Sequence, residues 1–183
     1  MKLKWLAVIA IVIHAILNVN VALAQQGNLS MSQYQLGSGD KIKISVFGES
    51  DLSIEVRLPD VGTINYPFLG EVKLVGLTAA EVEQLIYTGL KGDYLINPSV
   101  SVTITEYRPF FIDGEVKRPG GYPYQPGLTV NKAAALAGGY TDRASRDNVI
   151  IVREHDGTTN EIDVNVSDMI QPGDIITIKQ RFF

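Results

Sequence analysis

Apolar side chains recur at every second position in a series of short runs, and that alternation predicts strands with one buried face. Lys41 to Phe47 puts Ile42, Ile44 and Val46 on one side, Ser53 to Leu58 puts Ile54, Val56 and Leu58, and Ser99 to Glu106 puts Val100, Val102 and Ile104. Glu71 to Val75 adds Val72 and Leu74, and Thr63 to Tyr66 is a further short strand that Pro67 ends, because proline has no amide to give to a ladder. One stretch in this half changes to helical spacing. Thr78-Ala79-Ala80-Glu81 is a capping box, in which the threonine oxygen and the glutamate carboxylate each take an otherwise unpaired amide. Val82, Leu85, Ile86 and Leu90 follow as one apolar stripe expected to lie on the strands, and Lys91-Gly92 closes the helix.

Phe110 to Val116 starts a second pattern. It reads as a strand, stopped by Arg118-Pro119-Gly120-Gly121, after which Tyr122-Pro123-Tyr124 restarts extended chain as an aromatic hairpin. Pro126-Gly127 breaks it again, and Thr129 is placed to cap a short helix. Ala133, Ala134, Ala135 and Ala137 keep that helix thin enough to lie close to a sheet, and Gly138-Gly139 ends it. Asn148 to Arg153 and Glu161 to Val166 then read as strands flanking His155-Asp156-Gly157-Thr158, where the Asp-Gly pair suits a tight turn. Tyr107-Arg108-Pro109, between the two patterns, is the expected hinge, since proline biases Arg108 toward extended backbone.

Two stretches echo one another: Leu36-Gly37-Ser38-Gly39-Asp40 leads into Ile42 and Ile44, and Ile170-Gln171-Pro172-Gly173-Asp174 leads into Ile175 to Ile178. A weaker echo, Gly70-Glu71-Val72-Lys73 against Gly114-Glu115-Val116-Lys117, each precedes a threonine-capped helix. Short strand-helix units look alike by construction, so the inference is two small mixed units rather than a duplication.

The motif G-E-V-x-x-P-G-x-Y followed by T-V-x-x-A-x-x-x-A-G-G, over Gly114 to Gly139, resembles the ligand-binding β-grasp (SLBB) repeat of bacterial polysaccharide export proteins. The set Y-x-L-G-x-G-D-x-I-x-I-x-V-F-G, then Y-P-x-L-G-x-V-x-L-x-G-L-T-x-x-E, then N-P-x-V-x-V, over Tyr34 to Ile104, resembles the export domain of the same family. One departure is Asp60-Val61-Gly62, where an Asp-Gly step is usual. The motif residues Gly37, Gly39, Asp40, Pro67, Gly70, Pro98, Gly114, Pro119, Gly120, Gly138 and Gly139 read as shapers of backbone, not as chemistry. The expected fold class is therefore α+β, with two small mixed α/β units, the second β-grasp-like. An export domain is expected over 34–106 and an SLBB β-grasp-like domain over 107–183.

The N-terminus adds a location. Lys2 and Lys4, an apolar run from Trp5 to Leu17 and Ala22-Leu23-Ala24 are ordered as in a secretory signal peptide, so residues 1–24 are expected to be cleaved and 25–33 to form a flexible leader. The competing reading is an uncleaved anchor, since Trp5 to Ala24 is long enough to span a bilayer, but His14, Asn18 and Asn20 interrupt it. Cleavage removes two lysines and no acid from a chain of net charge −4, leaving an acidic protein for which nucleic-acid binding is not expected. The chain has no cysteine, which removes disulfides, thiol redox chemistry and lipidation at a signal-adjacent cysteine. No transmembrane helix is expected in the mature chain.

Catalytic groups are sparse. His155 is the one histidine after the leader and has no histidine partner for a metal site or triad. Asp40, Glu49, Asp51, Asp113, Glu115, Asp142 and Asp174 lie near turns, but nothing in their spacing sets two carboxylates across a sugar, and capping of backbone amides explains Asp40 and Asp174. Gly37-Ser38-Gly39 and Gly138-Gly139 lack the G-K-[ST] of a phosphate loop. No enzyme activity, cofactor or metal is implied. Tyr107, Phe110, Phe111, Tyr122, Tyr124 and Tyr140 cluster in the second pattern, and Tyr122, Tyr124 and Tyr140 are the candidate glycan or subunit contacts, with core packing the competing role.

By resemblance, the chain is expected to be a periplasmic component of capsule or exopolysaccharide export. The resemblance implies a homo-oligomeric ring guiding polysaccharide toward the outer membrane, with an inner-membrane polysaccharide co-polymerase as partner. Larger members of the family carry a further β-grasp repeat and a C-terminal amphipathic helix. The chain ends at Gln180-Arg181-Phe182-Phe183 after a strand, so a separate outer-membrane pore protein is also expected, with Phe182-Phe183 docking on it or finishing a core strand. The alternative is a periplasmic glycan-binding module without a translocation role.

Overall fold

The computed structural model describes residues 33–155 and 158–181. The expected signal peptide, nearly all of the leader, the Asp156-Gly157 turn and Phe182-Phe183 lie outside them. The architecture is α+β, built around two separate clusters of buried side chains.

The first cluster forms because alternation is matched across three antiparallel strands. β1 (Lys41–Val46) lies between β2 (Ile54–Arg57) and β5 (Val100–Glu106). Ile44 sits opposite Ile54 on one side and Val102 on the other, and Ile42 opposite Val56 and Ile104. Helix α1 (Ala79–Leu90) covers this face with Val82, Ile86 and Leu90, all fully buried. Leu85, expected on the same stripe, is instead exposed: the helix buries only a narrow band, and Leu85 falls on its flank. The capping box is complete, with Glu81 N–H donating to Thr78 Oγ1 and Thr78 N–H donating to Glu81 Oε2 at 2.7 Å. The hairpin of β3 (Thr63–Tyr66) and β4 (Gly70–Lys73) supplies Ile64, Tyr66, Val72 and, just beyond it, Leu74 to the same core. The Tyr66 hydroxyl keeps a partner when buried, donating to the Leu52 carbonyl at 2.7 Å. At the sheet margin the Val102 amide donates to the Glu83 carboxylate of α1 at 2.8 Å.

The second cluster is organised by a five-stranded mixed sheet in the order β7-β6-β10-β8-β9, comprising β6 (Phe110–Gly114), β7 (Gly120–Tyr122), β8 (Ala144–His155), β9 (Thr158–Val164) and β10 (Ile175–Gln180). β6 and β10 run parallel and the other neighbours antiparallel. Helix α2 (Val130–Leu136), capped by Thr129 as expected, lies on one face. Val130, Ala133, Ala134 and Ala137 are fully buried there with Phe110, Ile151, Ile176 and Ile178, so the small side chains do bring helix and sheet together. A helix across a mixed sheet with a parallel central pair is the layout expected of a β-grasp unit. β8 begins four residues before the expected Asn148 and continues to His155, and β9 begins at Thr158 and ends at Val164, not at Val166.

Gly114 shows why the parallel pair closes. Its φ is 76°, and a Cβ there would lie 2.1 Å from the Ile178 carbonyl oxygen of β10. Among the described residues no helix is long and apolar enough to cross a membrane.

Candidate functional site

The two echoed turns fold alike. The Asp40 carboxylate accepts the Gly37 amide at 2.8 Å, and the Asp174 carboxylate accepts the Gln171 amide at 2.7 Å. Each aspartate amide returns a bond to the carbonyl of that same residue, Gly37 or Gln171. Each aspartate carbonyl accepts an amide from a following or facing strand, Leu58 N–H for Asp40 and Phe111 N–H for Asp174. Capping of backbone amides thus explains both acids. Both are also completely buried, and an ionised carboxylate out of water needs a countercharge. Arg153 supplies one to Asp174 and Arg108 supplies the other to Asp40.

Arg108 belongs to the link expected as a hinge, and it is bonded on both sides. Its amide donates to Asp40 Oδ1 at 2.7 Å, and its Nη1 donates to Asp40 Oδ2 at 3.4 Å and to the Tyr34 hydroxyl at 3.2 Å. Its Nε donates to the Pro172 carbonyl in the second turn at 3.2 Å. The Tyr34 hydroxyl in turn donates to Asp40 Oδ2 at 2.6 Å. Burial, and after it the Asp40 charge, pushes the Tyr34 phenol well above its usual range. A ladder of rings runs alongside: Tyr34 meets Tyr107 edge-on at 5.2 Å, and Tyr107 meets Tyr124 edge-on at 5.5 Å.

The three tyrosines expected as contacts separate. Tyr124 is buried in the second core and its phenol is raised by that burial, so its ring offers little surface. Tyr122 and Tyr140 are half-buried and share the turn at 116–118: Tyr140 bridges Val116, and the Tyr122 hydroxyl donates to the Arg118 carbonyl at 2.7 Å. Tyr122 stacks on Phe110 at 6.0 Å, and the Arg146 guanidinium lies 5.1 Å from the Tyr140 ring centre. The Tyr140 hydroxyl is buried with no hydrogen-bond partner among the described residues. With Arg118, whose Nη2 donates to the Leu136 carbonyl, these side chains make an aromatic and cationic patch at the end of α2.

The remaining motif residues sit at element ends. Pro67 follows β3, Gly70 opens β4, a buried Pro98 precedes β5, and exposed Pro119 and Gly120 lead into β7. Gly138 and Gly139 leave α2 with their amides donating to the carbonyls of Ala135 and Ala134. Glu49, Asp51, Asp113 and Asp142 are exposed, while Glu115 accepts from Thr141 Oγ1 and, at 3.1 Å, from Arg143. Among the described residues no three His, Cys, Asp or Glu side chains are grouped to hold a metal ion. A shallow cavity of about 350 Å³ opens over Thr63, Ile64, Asn65 and Glu71, none of them an expected site residue. Sequence reasoning missed Arg108 and Arg153. The signal for them was the pair of Gly-Asp turns themselves, since an acid tucked under a strand needs a cation, but the arginines lie 68 and 21 residues away.

Residues 28–105 match the family described as polysaccharide biosynthesis/export protein, and residues 109–162 match the SLBB domain. The chain is 33% identical over 150 residues to the exopolysaccharide production protein ExoF of Rhizobium meliloti, covering 74% of this chain and 35% of the relative. It is 25% identical to the EPS I polysaccharide export outer membrane protein EpsA of Ralstonia nicotianae, covering 81% and 48%, and 24% identical to the polysialic acid transport protein KpsD of Escherichia coli, covering 76% and 25%. The chain therefore spans between a quarter and half the length of these relatives.

Proposed function

Because the chain belongs to the polysaccharide biosynthesis/export family and carries an SLBB domain, we propose that it is a non-catalytic periplasmic part of a machine exporting capsule or exopolysaccharide. The observation that carries this reading is the order of the two family matches, export domain over 28–105 and SLBB domain over 109–162, with one threonine-capped helix within each. The role is passive guidance: copies of the chain close into a ring and a polymer made elsewhere passes through. A closed ring needs two different, complementary faces on each copy. The patch of Tyr122, Tyr140, Arg118 and Arg146 is the face we assign to a neighbouring copy or to the glycan, since aromatic rings and arginines dominate such contacts. Tyr124 has no part in it, being enclosed. An inner-membrane co-polymerase delivers the polymer, and a pore in the outer membrane receives it.

Light scattering on the purified protein, alone and with its membrane partners supplied, tests the conduit. Discrete oligomers are expected, together with loss of surface polysaccharide when the gene is deleted. A strict monomer under both conditions would remove the conduit reading.

A further inference from the structure

The side chain of Arg108 lies between the two echoed turns and bonds to both. On one side is the Leu36–Asp40 turn that feeds β1. A Cβ on Gly37 would fall 1.5 Å from Arg108 Nη1, and one on Gly39 would meet the Arg108 Cβ at 3.4 Å. On the other side is the Ile170–Asp174 turn that feeds β10, where a Cβ on Gly173 would fall 2.6 Å from Arg108 Nε. The absence of side chains at Gly37 and Gly173 is what leaves room for the guanidinium. Its polar atoms are then divided, with Nη1 on Asp40 and Tyr34 and Nε on the Pro172 carbonyl.

We propose that Arg108 is the pin that holds the two sheets in one fixed orientation, so that a link expected to flex is a locked joint. A guanidinium suits this because its donors point in set directions in one plane, so bonding at two edges fixes an angle as well as a distance. The lock has a second component in the ring ladder, which begins on Tyr34 ahead of β1, passes through Tyr107 in the link and ends on Tyr124 in the second core. Edge-to-face contacts are directional, and since Tyr107 packs on the second core and Tyr34 on the first, rotation of one half against the other breaks the contact between Tyr34 and Tyr107. The Gly173 amide adds a backbone bond to the Pro109 carbonyl. Arg153 is the internal control: it holds Asp174 as Arg108 holds Asp40, yet the bonds it makes to Asp174 stay within the second half.

Residual dipolar couplings of backbone amides in the whole purified chain read this directly. In the native protein the amides of β1, β2 and β5 and those of β6, β8 and β10 are expected to share one alignment tensor. Arg108→Gln is expected to abolish that agreement while each half keeps its own couplings. Gly37→Ala, which leaves every charge in place and displaces the guanidinium, is expected to do the same. Arg153→Gln is expected to lower stability and preserve the common tensor. If Arg108→Gln does not fold, Arg108→Lys keeps the charge without the planar fork and carries the test. A single shared tensor in the folded Arg108 variant and in Gly37→Ala would overturn the proposal, as would loss of the shared tensor in Arg153→Gln.

Discussion

Arg153, on β8, grips Asp174, just ahead of β10, with two parallel bonds of 2.7 Å, Nε to Oδ1 and Nη2 to Oδ2. The carboxylate is wholly enclosed, so taking away the guanidinium strands a charge instead of merely deleting a contact. Arg153→Met is expected to cost about 3 kcal/mol. Urea unfolding would show a lower midpoint with an unchanged slope, and a midpoint equal to the parent's would contradict the assignment.

Gly114 and Gly70 offer a paired comparison, because both have left-handed backbone but different surroundings. Among the described residues a Cβ on Gly70 meets nothing within 4 Å, whereas one on Gly114 runs into the Ile178 carbonyl. Gly70→Ala is expected to cost about 1 to 2 kcal/mol from conformation alone. Gly114→Ala adds separation of β6 from β10 and is expected to lower the melting temperature by at least twice as much. Equal shifts would mean that the parallel pair tolerates the intrusion.

The Tyr34 phenol predicts an alkaline effect of known sign. Its proton is held above the usual value of 10.0, first by burial and then by Asp40. The folded chain therefore binds that proton more tightly than the unfolded chain does. The stability it contributes is whole below that usual value and is lost as the pH rises above it. Between about pH 9 and about pH 11 the parent is expected to lose more stability than Tyr34→Phe, measured as denaturant midpoints at the two pH values. A larger loss in the variant would reverse the sign and reject the account.

Thr78→Ala removes one side of the capping box and is expected to cost about 1 kcal/mol, seen in the thermal midpoint. Thr129→Ala, whose oxygen takes only the Lys132 amide at 3.4 Å, is expected to cost less.

What the chain discloses locally and what it withholds follow from range. The alternation in Lys41 to Phe47 and the capping box at Thr78 were readable because period-two burial and a first-turn amide are settled within a few residues. Leu85 was misplaced because helical spacing marks a broad stripe, while only the packed strands decide how much of it is covered. β8 is longer than its apolar alternation suggests because Ser145, Arg146 and Asp147 carry no such pattern, and its start is held by pairing with the far end of β10, where Ala144 sits opposite Gln180. Tyr124 gave no sign that it would close on Tyr107, and nothing near Asp40 in sequence announced Arg108. Partners chosen across the fold leave no local trace, and the echo of two Gly-Asp turns was the sole hint that a cation was owed to each.

The placement of β10 sets an order of folding. It lies in the middle of its sheet, between β6 and β8, although it is made after every other strand of that sheet. β6 pairs with β7 and β8 with β9 without it, but the two pairs join only through β10, so the second core closes through contacts between distant parts of the chain. The first core has all its strands by Glu106 and is free to form while the rest is still emerging. A chain delivered from its N-terminus would thus present a finished half tethered to an open sheet, with Ile112 and Ile151 on separate strand pairs until Ile176 arrives between them.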